Sequence, residues 1–145
     1  MSSFKVFDIA GSGMSAESVR LNTVASNLAN ADSVSGDPTQ VYQAKHPVFQ
    51  TVQALGAGAG AGQTAEQASA SVKVTGIEAN QAAPEARYDP GNPLANADGY
   101  VYSPNVNVVE EMTDMISASR AYQNNVEVMN TARNLMLDTL KLGQS

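Results

Sequence analysis

A long run of large apolar side chains near the C-terminus constrains the fold of this chain more than any other feature. The run steps by three and four residues through Met112, Met115, Tyr122, Val126, Met129, Met136 and Leu140. That spacing predicts a helix with one apolar stripe. Asn107 predicts its start, and Lys141 with Gly143 predicts its end. Such a helix of about 35 residues is about 50 Å long, so much of its stripe must contact something beyond a small core.

A second stripe of the same spacing lies near the N-terminus. It predicts a helix over about residues 3–30, with apolar or small side chains at Phe7, Ala10, Met14, Leu21, Val24 and Leu28. Gly11 and Gly13 predict a weaker first half, because each glycine costs a helix about 1 kcal/mol relative to alanine. The simplest arrangement pairs the two terminal helices and leaves the surplus apolar surface for neighbouring chains.

The middle of the chain has the composition of short strands and turns. Residues 41–45, 48–52, 71–79 and 100–102 predict strands, and Asp98-Gly99 predicts a turn. Residues 56–71, which are Gly, Ala, Ser and Gln in the main, predict a flexible surface loop. We therefore expect a mainly α fold with a small β module: an N-terminal helical arm at 1–35, a β-rich outer module at 36–104 and a C-terminal helix at 105–145.

Charge and composition favour protein partners. The net charge of -6 and the absence of a Lys/Arg stripe argue against nucleic acid. The chain has no cysteine, its first residues do not predict a secretory signal, and no stretch is apolar for long enough to span a membrane. Leu, Ile, Val and Phe together are near the level at which chains fold poorly alone, so we expect help from partners.

Four features could indicate chemistry, and each has a plainer explanation. Residues 11–16 match a dinucleotide-binding glycine pattern, but no second strand follows at the required distance. His46 is the only histidine, so a site with two histidines is excluded. Residues 96–99 resemble part of a calcium loop, but Leu94 and Asn105 occupy ligand positions. Carboxylates at 110, 111 and 114 suit the start of a helix. We predict no catalytic, metal or cofactor residue.

Both ends of the chain resemble one family. The segments SGMSAESVRLNTVASNLANADS at 12–33 and YSPNVNVVEEMTDMISASRAYQNNVEVMNTARNLMLDTLKL at 102–142 are similar to the flagellar axial proteins of rod and hook. The central YDPGNPLANADGYV at 88–101 and the long acidic turn after Asn30 resemble the proximal-rod subtype.

The resemblance implies a structural subunit that is exported through the flagellar type III apparatus without a cleaved signal peptide. It implies assembly in the periplasm into a tube that transmits torque and encloses the export channel. The implied partners are further copies, other rod proteins and the rod-to-ring adaptor. The two apolar stripes then form the assembly interface, through Phe7, Met14, Leu21, Val24, Leu28, Met112, Met115, Tyr122, Val126, Met129, Met136 and Leu140.

Two other classes of protein fit parts of the sequence. A soluble helical adaptor would use the Met-rich stripe to bind amphipathic partner helices, and it would fold alone. A nucleotide-binding enzyme would need the glycines at 11 and 13 in a turn that holds a dinucleotide.

Overall fold

Two long helices near the chain termini pack antiparallel, and the sequence between them forms short strands. The computed structural model describes residues 3–54 and 69–143. Its elements are α1 (Ser3–Asn30), β1 (Lys45–Ala54), β2 (Ser69–Ala79), β3 (Glu85–Tyr88), β4 (Tyr100–Ser103) and α2 (Val108–Leu142). The predicted fold class, mainly α with a small β module, is confirmed.

Each helix begins and ends for identifiable reasons. The Asn107 side chain accepts hydrogen bonds from the backbone N–H groups of Val109 and Glu110, as predicted for the N-cap of α2. Lys141 lies in the last turn, where a positive charge favours the carbonyl end of the helix. The expected weakness of the first half of α1 does not break the helix, which continues through Gly11 and Gly13.

The strands form two separate antiparallel pairs, β1 with β2 and β3 with β4. In the first pair Lys45 lies opposite Ala79, and one extra residue, Thr75, forms a bulge where Val48 is followed by Phe49. In the second pair the predicted Asp98-Gly99 turn is confirmed, and Gly99 adopts a positive φ of 80°. Ser35 joins this pair through two backbone hydrogen bonds with Tyr102.

The strands differ from the prediction in three places. The prediction of a strand at 41–45 was wrong except for Lys45, because the Ala44 N–H donates to the Asn105 side chain and not to a neighbouring strand. Strand β3 was not predicted, since four exposed residues carry no alternating pattern. Strand β2 begins at Ser69 and so includes the last residues of the predicted loop at 56–71. The part of that prediction at 56–68 lies outside the described residues.

The buried core is small. Among the described residues, the buried apolar side chains are alanine, valine and one proline: Ala10, Ala16, Val24, Val41, Ala44, Val101, Pro104 and Ala118. Burying a large aliphatic or aromatic side chain stabilises a fold by about 1.5 to 3 kcal/mol, and this contribution is small here. In the part of the chain that the structure describes, no helix has the length and apolar character to cross a membrane.

Candidate assembly surface

The contact line between α1 and α2 is built from polar and small residues. Asn27 Nδ2 donates to Glu111 Oε1 at 2.8 Å, and Arg20 donates to Asp114 Oδ1 at 2.8 Å. Further along, a Cβ on Gly13 would lie 2.8 Å from Asn125 Nδ2, so the absence of a side chain there lets the helices approach. The contact line, defined by Gly13, Arg20 and Asn27 of α1 and by Glu111, Asp114, Ala118 and Asn125 of α2, runs antiparallel.

Asn27 is the junction at which the helices and the β1–β2 pair meet. Its side chain is fully buried and makes four hydrogen bonds. Nδ2 donates to the Lys45 carbonyl and to Glu111, while Oδ1 accepts from the Lys45 N–H and the Tyr42 hydroxyl. Both polar atoms of the amide are therefore satisfied. One side chain fixes where β1 begins against α1 and α2.

Glu111 pairs with Asn27 but is incompletely satisfied. The residue is 3% exposed, and its Oε2 has no hydrogen-bond partner. Burial raises the pKa of Glu111 above the ordinary 4.5, and the negative charges of Asp114 and Glu110 raise it further, whereas the Asn27 hydrogen bond and His46 lower it. The charged form of Glu111 is thus disfavoured in the folded chain.

We expect Glu111→Gln to raise the free energy of unfolding at neutral pH by about 1 kcal/mol, because glutamine keeps an oxygen for Asn27 and removes a poorly solvated charge. Because the pKa of Glu111 is raised by folding, the folded chain binds this proton more tightly than the unfolded chain. The free energy of unfolding of the wild type therefore rises as the pH falls through the raised pKa. The advantage of the variant should therefore shrink as the pH falls toward 4.5. Urea titrations of both chains at several pH values measure this difference, and an advantage independent of pH would contradict it.

The predicted assembly residues fall into three groups by exposure. Val24 is buried, whereas Met112, Tyr122, Val126 and Leu140 are exposed, with Met112 at 54%. The others are half-buried: Phe7, Met14, Leu21, Leu28, Met115, Met129 and Met136. The two predicted stripes therefore do not form the contact line. Polar and small residues occupy it, and most of the large apolar side chains lie beside it.

Both stripes lie on the same side of the helix pair. Residues of a helix are about 100° apart around its axis, which places the α1 stripe about 110° from Arg20 and the first half of the α2 stripe about 75° from Ala118. Both angles are measured in the same rotational sense along the sequence. Because the two helices run in opposite directions, equal senses of rotation place both stripes on the same side of the helix pair. We call this side the apolar face; it comprises Phe7, Met14, Leu21, Leu28, Met112, Met115, Tyr122, Val126 and Leu140.

The β1–β2 pair lies on the other side of α1. Ser12 is about 80° from Arg20 in the opposite sense. Its Oγ accepts a hydrogen bond from the Val72 N–H at 3.2 Å. The strands therefore run along α1 without covering the apolar face.

Sequence reasoning missed further exposed apolar residues on α2. Val109 is 73% exposed and Ile116 is 55% exposed, on the side of α2 directed away from α1. Val128 and Leu135 line a groove of about 500 Å³ together with Val6 of α1. Only the stripe with heptad spacing was considered in the sequence, so apolar residues on other sides of α2 were passed over.

The residues considered for other chemistry have structural roles. Residues 11–16 lie within α1 and cannot form the turn that a dinucleotide requires. Asn96 Oδ1 accepts hydrogen bonds from the N–H groups of Asp98 and Tyr100, which shapes a turn. His46 is exposed. Within residues 3–54 and 69–143, no three His, Cys, Asp or Glu side chains are grouped closely enough to hold a metal ion.

Both ends of the chain match models of protein families. Residues 97–142 match the model described as flagellar basal body rod FlgEFG protein C-terminal, and residues 7–36 match the model described as flagella basal body rod protein. The two matched segments contain all of α2 and most of α1.

Full-length relatives agree with these matches. A protein of Salmonella typhimurium, named flagellar basal-body rod protein FlgC, is 52% identical over 144 residues, covering 99% of this chain and 100% of the relative. A protein of the same name from Escherichia coli is 53% identical over 144 residues, with the same coverage. One from Buchnera aphidicola is 38% identical over 146 residues, again covering 99% of this chain and 100% of the relative.

Proposed function

The chain belongs to the FlgC family of flagellar basal-body rod proteins, and from this premise we propose that it joins the proximal part of the rod through the apolar face of its terminal helices. As a member of this family it is a structural subunit. The observation that carries the proposal is the exposure of the large apolar side chains, with Met112 at 54%, in a chain whose described residues bury only small apolar side chains. Exposed apolar surface of this kind is typical of interaction sites.

In the proposed assembly, terminal helices of neighbouring subunits pack side by side into a tube. Such a tube needs heterologous contacts, in which one face of a subunit binds a different face of the next. The apolar face and the opposite side of α2, which carries Val109 and Ile116, are two different apolar surfaces of one subunit. The tube would enclose the export channel and transmit torque. Residues 1–35 and 105–145 would form its wall, and the module at 36–104 would face outward.

The proposed partners are further copies of this chain, other rod proteins, the rod-to-ring adaptor and the flagellar type III export apparatus. The proposed location is the rod in the periplasm, reached without a cleaved signal peptide. In this role the chain performs no catalytic reaction and needs no cofactor, nucleic acid or direct membrane insertion.

Hydrogen exchange resolved by segment tests the proposal. We expect the amides of α1 and α2 in the dilute purified chain to exchange through opening of a folded helix pair of modest stability, because little large apolar surface is buried between the helices. The same amides should be protected in isolated basal bodies. Slow exchange in the dilute chain with no added protection in basal bodies would contradict assembly through the helices and would favour a self-sufficient helical adaptor.

A further inference from the structure

We propose that the polar contacts of the contact line act as an orientation lock, which holds α2 turned so that its large apolar side chains stay outward for assembly. The proposal rests on the proposed function, because it explains how the apolar face is kept available. It assigns a positioning role to Glu111 and Asp114.

The lock is needed because either of two sides of α2 could pack against α1. In its first half, the inward residues are Glu111, Asp114 and Ala118. Met112, Met115, Tyr122 and Val126 lie on average about 75° away around the helix. A roll of α2 by that angle would bury these four side chains against α1. Met112, Tyr122 and Val126 are exposed and Met115 is half-buried in the present orientation, so further burial of these apolar side chains favours the rolled state.

The contacts observed oppose this roll. Asn27 is held on α1 and β1 by two hydrogen bonds with the Lys45 backbone, each of 2.9 Å, so its remaining Nδ2 hydrogen has a fixed direction toward Glu111 Oε1. Rolling α2 would move that acceptor away and leave a buried N–H without a partner. Arg20 and Asp114 add a second fixed contact of 2.8 Å three residues along α2.

The composition of the contact line supports an orientation role over a purely stabilising one. Glu111 is buried with one oxygen unpartnered, which is a poor arrangement for stability. In some proteins a buried polar pair selects one packing among several at a cost in stability. The same residues would be hard to explain in a helix pair whose only task is to remain folded.

Thiol labelling of the purified chain tests the lock, since the chain has no cysteine of its own. The reporter is Met112→Cys, which is exposed in the present orientation, and the reference is Ser117→Cys, which is exposed on the flank of α2 opposite the apolar face, about 100° from Ala118. Each is combined with Glu111→Ala and Asp114→Ala. We expect at least tenfold slower labelling at residue 112 in the unlocked chain, with labelling at residue 117 unchanged.

Two further variants make the result specific. Glu110→Ala with Glu127→Ala removes two exposed carboxylates from α2 and should leave both labelling rates unchanged. Glu111→Gln with Asp114→Asn keeps the acceptor oxygens and should keep fast labelling at residue 112.

The proposal is overturned if residue 112 labels equally fast in the unlocked and parent chains. It is also overturned if both positions label faster, because the contacts then serve stability alone. Because the readout uses the isolated chain, either failure leaves the rod assignment and its hydrogen-exchange test untouched.

Discussion

Val126→Asp is expected to leave the isolated chain folded and to keep it out of the rod. Val126 belongs to the apolar face and is 36% exposed, so an aspartate there is solvated in the free chain. In the assembled tube the same carboxylate would be buried against a neighbour without a partner. A penalty of about 3 kcal/mol or more corresponds to a loss of about a hundredfold or more in affinity at each such contact. Swimming in soft agar and the amount of the chain in isolated basal bodies measure the loss.

Controls separate loss of assembly from loss of folding. Val126→Leu keeps the site apolar and should assemble, and Ser117→Asp adds the same charge to an exposed site on another side of α2. Leu21→Asp tests the stripe on α1, where we expect the same loss of rods. Circular dichroism of each purified chain should show unchanged helix content for Val126→Asp. Normal rods with both Val126→Asp and Leu21→Asp would contradict the assignment of the apolar face to assembly.

The terminal helices were predictable because their signals are local. Heptad spacing, an asparagine cap at residue 107 and a lysine in the last turn all act within a few residues of the chain. The fold class followed from them, because two long helices at the ends leave only short segments between. The prediction of a strand at 41–45 was wrong because a contact distant in sequence decides the structure there: the Ala44 N–H donates to the side chain of Asn105.

The face used for intrachain packing could not be read from hydrophobicity. Gly13, Arg20 and Asn27 also recur every seven residues, as do Glu111, Ala118 and Asn125. A search for large apolar residues passes over a repeat made of glycine, alanine, amides and charges. Both heptad stripes lie within the long helices α1 and α2. Their role as an interface between chains remains a prediction, since the contact line shows only that they are not the main contact within the chain.

Asn27→Ala should lower the free energy of unfolding by about 3 to 5 kcal/mol, which is a large part of the stability of a small domain. The substitution removes all four hydrogen bonds of the junction. It leaves the Glu111 carboxylate without this partner in a buried place, and the Lys45 N–H and carbonyl without theirs in a partly buried one. Each unsatisfied buried group costs about 1 to 3 kcal/mol. Urea unfolding followed by circular dichroism measures the change.

Asn30→Ala is the matched control, because the Asn30 side chain makes one hydrogen bond, to the Ser26 carbonyl within α1. Its loss should change stability by less than about 1 kcal/mol. Asn27→Asp is the sharper test of the mechanism. It keeps the acceptor for the Lys45 N–H and Tyr42 but replaces the Nδ2 donor by a negative charge beside Glu111. We therefore expect Asn27→Asp to be as harmful as Asn27→Ala at neutral pH. Acidification should relieve the repulsion between the two carboxylates and restore part of the stability. If Asn27→Asp is nearly as stable as wild type at neutral pH, the hydrogen bond from Asn27 to Glu111 does not hold the junction together.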